Sequence, residues 1–189
     1  MKAGIDLDGV IADLITPLLK AIKKEYGLSF KYEDITSFYF ADCIPQLNWN
    51  QIREIWESPE FVLGQPLIPW AKWGLNRLRA LGYAIYIITA RKTFLKEATL
   101  EWLAKHGIAF DAIVTGKEEK WSYIERNELN ILVEDKAQNA LDVARLCERI
   151  YLIDTPYNRD PVTLDESKSS IIRVKGWKEI IKLEKEFLR

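Results

Sequence analysis

The run Tyr83–Ala90, YAIYIITA, constrains this chain most: it carries no charge and is built largely of β-branched and aromatic residues. A strand of that composition has no face suited to water, so it belongs inside a sheet covered on both sides, the usual setting of a mainly parallel sheet. Other short apolar runs read as strands at Ala3–Asp6, Ala112–Val114, Asn130–Glu134, Arg149–Asp154 and Ile171–Val174. Helical stripes separate them. Ala71, Leu75, Leu78 and Leu81 recur at helical spacing before Gly82, Thr93–Lys105 closes at Gly107, Ala137, Ala140, Leu141 and Ala144 form a third stripe, and Trp177–Leu188 reads as a terminal helix. The expected fold is α/β, a Rossmann-like three-layer α/β/α core with a mainly parallel sheet.

One segment breaks the alternation. Residues 13–68 begin with a helical pattern (LITPLLKAIKKEYG), turn aromatic, and end in GQPLIPW, whose prolines punctuate a return to the core. That is too long for a crossover between two strands. It is read as a small, mostly helical cap inserted after the first strand, with residues 1–12 and 69–189 making the core.

Composition narrows the classes of partner. Across 189 residues, 27 Lys and Arg stand against 28 Asp and Glu, which gives no electrostatic reason to expect a nucleic acid or an anionic membrane surface. The opening MKAGIDLDG meets acids at once and is not a secretory signal, and no run approaches the roughly 20 apolar residues that span a bilayer. Two cysteines, Cys43 and Cys147, and one histidine, His106, suit neither a disulfide framework nor a zinc site. A soluble, cytoplasmic protein is expected.

The ends of the strands carry the chemistry. The first runs into Asp6 and Asp8, the second into Thr89, the fourth into Glu134 and Asp135, the fifth into Asp154. In a parallel sheet these ends share one edge, where open α/β folds bind ligands. Carboxylates gathered there repel one another, and a hard divalent cation relieves them; oxygen ligands without His or Cys favour Mg²⁺. A carboxylate beside Mg²⁺ is a competent nucleophile toward phosphorus, and a second acid two residues on can serve the leaving oxygen. Gly9 permits a tight turn after Asp8. Lys117 and Lys120, in VTGKEEKWSYIER, both offer a charge for a phosphoryl group.

These residues resemble the haloacid dehalogenase (HAD) superfamily. Asp6-Leu7-Asp8-Gly9-Val10 matches its first motif, Ile88-Thr89-Ala90-Arg91 the second, and Lys120 with Leu132-Val133-Glu134-Asp135 the third and fourth. Asp8 favours a phosphatase over a dehalogenase. The segments SPEFVLGQPLIPWA, GYAIYIITAR, YLIDTPYNRD and IIRVKGWKEI are similar to the 5′(3′)-deoxyribonucleotidase-like branch, so the likeness covers nearly the whole chain. The resemblance implies Asp6 as nucleophile and Mg²⁺ ligand, and Asp8 as general acid/base that binds the metal through its backbone carbonyl. It further implies Thr89, Ala90 and Lys120 (or Lys117) at the phosphate, and Asp135 on the metal. Glu134 stands where many relatives have Asp, and would reach the metal through water. The implied substrate is a small phosphomonoester, with a nucleotide favoured; a sugar or amino-acid phosphate, a polynucleotide 3′-phosphate, and a non-catalytic nucleotide-binding module are the competing readings.

Several residues have two readings. Arg91 is either a substrate contact or an exposed structural residue. Asp154 is expected to hydrogen-bond within its own loop. Most cap aromatics are expected to form the small core of that segment, with Phe61, Phe38 or Phe40 as candidates to stack on a base. Sequence leaves the oligomeric state open.

Overall fold

The computed structural model of the chain describes residues 1–159 and 170–189. Chain order runs β1 (Lys2–Ile5), α1 (Ile15–Tyr26), α2 (Phe40–Cys43), α3 (Trp49–Trp56), α4 (Pro59–Gly64), α5 (Ala71–Ala80), β2 (Ala84–Thr89) and α6 (Lys96–His106). It continues through β3 (Ala112–Thr115), α7 (Lys117–Arg126), β4 (Leu129–Glu134), α8 (Ala137–Asp142), β5 (Cys147–Ile153), β6 (Ile171–Val174) and α9 (Trp177–Phe187). All six expected strands are present to within two residues at either end. Thr93–Leu95, read as the start of a helix, is a separate 3₁₀ turn before α6, and Asp160, at the end of the YLIDTPYNRD motif, lies outside the described residues.

The strands form one parallel sheet in the order β3-β2-β1-β4-β5-β6. Strand order reverses between β1 and β4, so a crevice opens where the chain leaves their carboxyl ends. Period-two alternation sorts the side chains. Ile5, Ile85, Ile87, Ile131 and Val133 face α5, α6 and α9, whereas Ile88, Leu132, Ile150 and Leu152 face α7 and α8. This is the three-layer core expected for a strand such as YAIYIIT, whose faces are both dry. Close approach matters at Gly74, where a Cβ would sit 2.2 Å from the Trp177 ring; without one, α9 lies tightly on α5.

Helices α1 to α4 gather around a third apolar cluster of their own, containing Ile15, Leu18, Ile22, Phe40, Ile44 and Ile52. Ser58 caps α4 by accepting from the Phe61 amide, with Pro59 at the first helical position. The chain leaves and re-enters the core side by side: the Asp13 amide donates to Pro66 at 2.9 Å, and the Ile68 amide to Ile11 at 2.8 Å. No helix among the described residues is long and apolar enough to cross a membrane.

Candidate active site

The site is built by the turn after β1. Asp6 continues the strand by one residue, its amide donating to the Val133 carbonyl at 2.9 Å, so it stands level with the end of β4. The chain then folds back, with the Ile11 and Ala12 amides both donating to the Leu7 carbonyl at 2.8 Å. Gly9 makes this possible. Its φ is +78°, and a Cβ there would lie 2.1 Å from an Asp135 carboxylate oxygen.

Asp6, Glu134 and Asp135 each offer a carboxylate oxygen within 4.8 Å of the others, and all three are buried. The Lys120 ammonium, buried in α7, donates to Asp6 Oδ1 at 2.7 Å and to Glu134 Oε2 at 3.1 Å. Asn139 donates to the other Glu134 oxygen at 2.6 Å, and Tyr157 donates its hydroxyl to Asp135 Oδ2 at 2.5 Å. Burial pushes the Asp6 carboxyl up to about 7, with Lys120 pulling it down and Glu134 adding to the rise. Asp135 is raised well above the ordinary carboxylate range, by burial and then by Glu134 and Asp6. Burial alone would lower Lys120, but its two carboxylate partners outweigh that and raise it. Three crowded, dry carboxylates share the site with Lys120, which reaches two of them, and with Lys136 at the cavity edge, so among the described residues positive charge there falls short of negative. A hard cation with oxygen ligands fits that deficit.

Asp8 faces a different group. Its carboxylate is gripped side-on by Arg91, with Nε to Oδ2 at 2.8 Å and an NH2 proton to Oδ1 at 2.7 Å, and Gln65 adds Nε2 to Oδ1 at 3.0 Å. Burial would raise the Asp8 carboxyl, but the Arg91 guanidinium prevails and the net shift is downward. Thr89, at the end of β2, is buried and accepts from the Arg91 amide at 3.2 Å; with Ala90 it lines the same cavity.

That cavity, of about 160 Å³, is lined by Asp6, Asp8, Thr89, Lys120 and Asp135 from the core and by Phe38, Trp56 and Phe61 from the segment between β1 and α5. The candidates therefore converge, with three exceptions, Lys117, Phe40 and Asp154. Lys117 is exposed at the start of α7, one turn away from Lys120. Phe40 is buried against Trp56 at 5.2 Å between ring centroids, inside its own cluster and unavailable for stacking. Arg91 does converge: it lines the cavity and is buried on Asp8, so it is not the exposed residue of one reading. Asp154 pairs with Arg159 at 2.9 Å and Arg173 at 3.3 Å, as a loop-holding residue does. Sequence reasoning missed Gln65, Lys136, Asn139 and Tyr157. Asn139 and Lys136 sit just past Asp135 and were within reach of the motif; Gln65 and Tyr157 carried no local signal.

Acids at the reversal point of a parallel sheet, a buried lysine from the next helix and a threonine ending the neighbouring strand make this a phosphatase of the HAD type. Comparison then gives the narrower group. A family model described as 5′ nucleotidase, deoxy (pyrimidine), cytosolic type C protein (NT5C) matches residues 1–187, and the chain belongs to that family. It is 30% identical over 190 residues to YqfW of Bacillus subtilis (strain 168), named as a candidate nucleotidase, covering 96% of this chain and 92% of that one. Nucleotidase CA_C3379 of Clostridium acetobutylicum is 26% identical over 179 residues, covering 93% of this chain and 89% of its own. Among solved structures, a HAD family hydrolase from Deinococcus radiodurans R1 with bound phosphate and sodium superposes with a TM-score of 0.62 at 16% identity, covering 99% of this chain and 96% of that chain. That likeness is one of fold.

Proposed function

We propose that the chain is a Mg²⁺-dependent, cytoplasmic phosphomonoester hydrolase that works through a phospho-aspartate at Asp6 and takes a nucleoside monophosphate, with deoxynucleotides favoured. The observation that carries this is the gathering of Asp6, Glu134 and Asp135, three buried carboxylates, around one point beside Asp8, with Lys120 bonded to the first two. Asp6 and Asp135, with Glu134 and the Asp8 backbone carbonyl, would hold the cation. Bound there, Mg²⁺ would supply positive charge to offset the carboxylates and the phosphoryl group.

Asp6 attacks phosphorus in line, forming a bond from its carboxylate oxygen as the bond to the ester oxygen breaks. The negative charge of the incoming phosphate raises the proton affinity of Asp8, which takes up a proton from water on binding and gives it to that departing oxygen. A water molecule then attacks the acyl phosphate, Asp8 takes its proton, and Asp6 is released with inorganic phosphate. Lys120 and Thr89 hold the transferring group, the lysine by charge and the threonine by its hydroxyl and strand-end position. Residues 13–68 act as a cap. A cavity of about 160 Å³ admits a phosphate and little more, below the roughly 300–1,000 Å³ of most small-molecule sites, so a nucleotide enters by parting the cap from the core. Phe38 and Phe61 then lie where a base arrives.

The test is phosphate release from a panel of nucleoside monophosphates, sugar phosphates and p-nitrophenyl phosphate, with Mg²⁺ and with chelator. Mg²⁺-dependent turnover, strongest on nucleotides and absent in Asp6→Asn, is expected. Tight nucleotide binding with no release from any ester would overturn the reading.

A further inference from the structure

The hydrogen bonds of Arg91 leave it little to offer a substrate. A guanidinium has five N–H donors. One on Nε and one on NH2 go to Asp8, the other on NH2 goes to Gln65 Oε1, and one on NH1 goes to Thr99 Oγ1 at 3.2 Å. Four donors are thus committed to the protein, and the side chain is 5% exposed. Thr99 is itself fixed, donating to the Leu95 carbonyl at 2.8 Å.

Gln65 completes the assembly from another direction. It ends α4, where the chain returns to the core, and is buried. Its amide nitrogen reaches Asp8 at 3.0 Å and the Asp13 carbonyl at 3.4 Å, so it touches both crossings between the core and residues 13–68. The buried Trp102 indole, from α6, pins its backbone carbonyl at 2.8 Å. One carboxylate is therefore held by a bidentate arginine and by a glutamine placed at the hinge of the inserted segment. Such two-point gripping fixes the carboxylate in orientation as well as position.

We infer that Arg91 and Gln65 are positioning residues for Asp8: they aim its carboxylate for proton transfer and tie that aim to the seating of residues 13–68, without contacting the substrate. This rests on the phosphatase reading above, in which Asp8 moves the proton. Side-chain aim is what the two residues supply, and a misplacement of about 1 Å at a reacting group costs on the order of 10²-fold.

The experiment is a first-turnover comparison of two esters in Arg91→Lys and Gln65→Leu, with KM and thermal unfolding measured alongside. A nucleoside needs a proton on its departing oxygen; p-nitrophenolate does not. In Arg91→Lys, nucleoside release in the first turnover should slow about 10²-fold with KM within about twofold. The p-nitrophenolate burst should stay within a few-fold of wild type, followed by a slow steady state as the water-activating half of the cycle lags. Gln65→Leu should show the same pattern at about 10-fold. A rise in KM with the first turnover preserved would make Arg91 a substrate ligand and overturn the inference. Equal slowing of both esters in the two variants would reduce the cluster to a structural one and overturn it too. Those results leave wild-type, Mg²⁺-dependent turnover intact; if wild type itself turns over neither ester, the phosphatase reading fails and this inference with it.

Discussion

Among the described residues, the buried Glu184 and the buried carboxylates at the strand ends are compensated very differently. Between α9 and the start of β5, Glu184 is fully buried and receives the Tyr151 hydroxyl at 2.5 Å, the Tyr83 hydroxyl, and Arg149 Nε at 3.0 Å. The Phe187 ring covers the guanidinium at 4.8 Å. One negative charge meets one positive charge and two hydroxyl donors, and burial with the neighbouring carboxylate pushes both tyrosines far above their ordinary range. At the reversal point of the sheet, three carboxylates crowd together: Lys120 bonds Asp6 and Glu134, Asp135 has the Tyr157 hydroxyl, and Lys136 stands at the edge of the cavity. A balanced cluster fastens a helix to a sheet. An unbalanced one, kept dry by the fold, is destabilising unless something positive joins it, and such a deficit marks a site of function.

That contrast can be broken experimentally. The largest effect expected is on chemistry: Asp6→Asn should lower kcat by on the order of 10⁴–10⁶-fold while the protein stays folded, as removal of a nucleophile does. Steady-state phosphate release with circular dichroism checks it. Next comes Glu184→Ala, which takes the buried carboxylate from Arg149 and from the Tyr83 and Tyr151 hydroxyls and should cost about 3–5 kcal/mol in urea unfolding, with activity per folded molecule unchanged.

A smaller effect should separate the clusters more finely. Tyr157 donates to Asp135, and its ring lies 6.2 Å from Phe38 and 6.4 Å from Phe40, so it joins the acidic cluster to the helical segment. Tyr157→Phe should weaken Mg²⁺ binding by about 10-fold, measured calorimetrically, since partners of metal-ligating carboxylates carry that order of effect.

The smallest is a pH dependence. In the folded, metal-free protein Asp6 titrates at about 7, against 3.8 as its ordinary value. The folded form then binds that proton more tightly than the unfolded chain. Its contribution is fully present below 3.8 and is lost as pH rises through about 7, so metal-free stability should decline over that window. Asp135→Asn relieves the crowding and should raise the metal-free Tm by roughly 2–4 °C, near 1 kcal/mol, the reverse of the effect at Glu184. Thermal melts in chelator across the window read both.

Much of this was legible in the chain, for reasons that can be named. The β2 strand announced itself because YAIYIIT has no wet face, and the acids at strand ends followed from the common edge of a parallel sheet. Lys117 and Lys120 could not be separated by pattern, since they lie one helical turn apart on the same side of α7; the start of that helix exposes the first and buries the second. What escaped notice depends on contacts between distant positions. Trp177 donates its indole N–H to the Val10 carbonyl across 167 residues, holding the turn after Asp8, and Trp102 does the same for Gln65 across 37. Local periodicity reports which face is apolar, and it has nothing to say about where a buried N–H finds its acceptor.

The central claim, that the excess of carboxylate exists so that Asp6 can take a phosphoryl group, meets its most direct test in rapid quench. A nucleotide carrying ³²P in its phosphate is mixed with enzyme and Mg²⁺, quenched in acid during turnover, and the digested protein is mapped. Label on the peptide containing Asp6, absent in chelator and in Asp6→Asn, is the expected result. Turnover with no label on protein, or label that survives in Asp6→Asn, would contradict it.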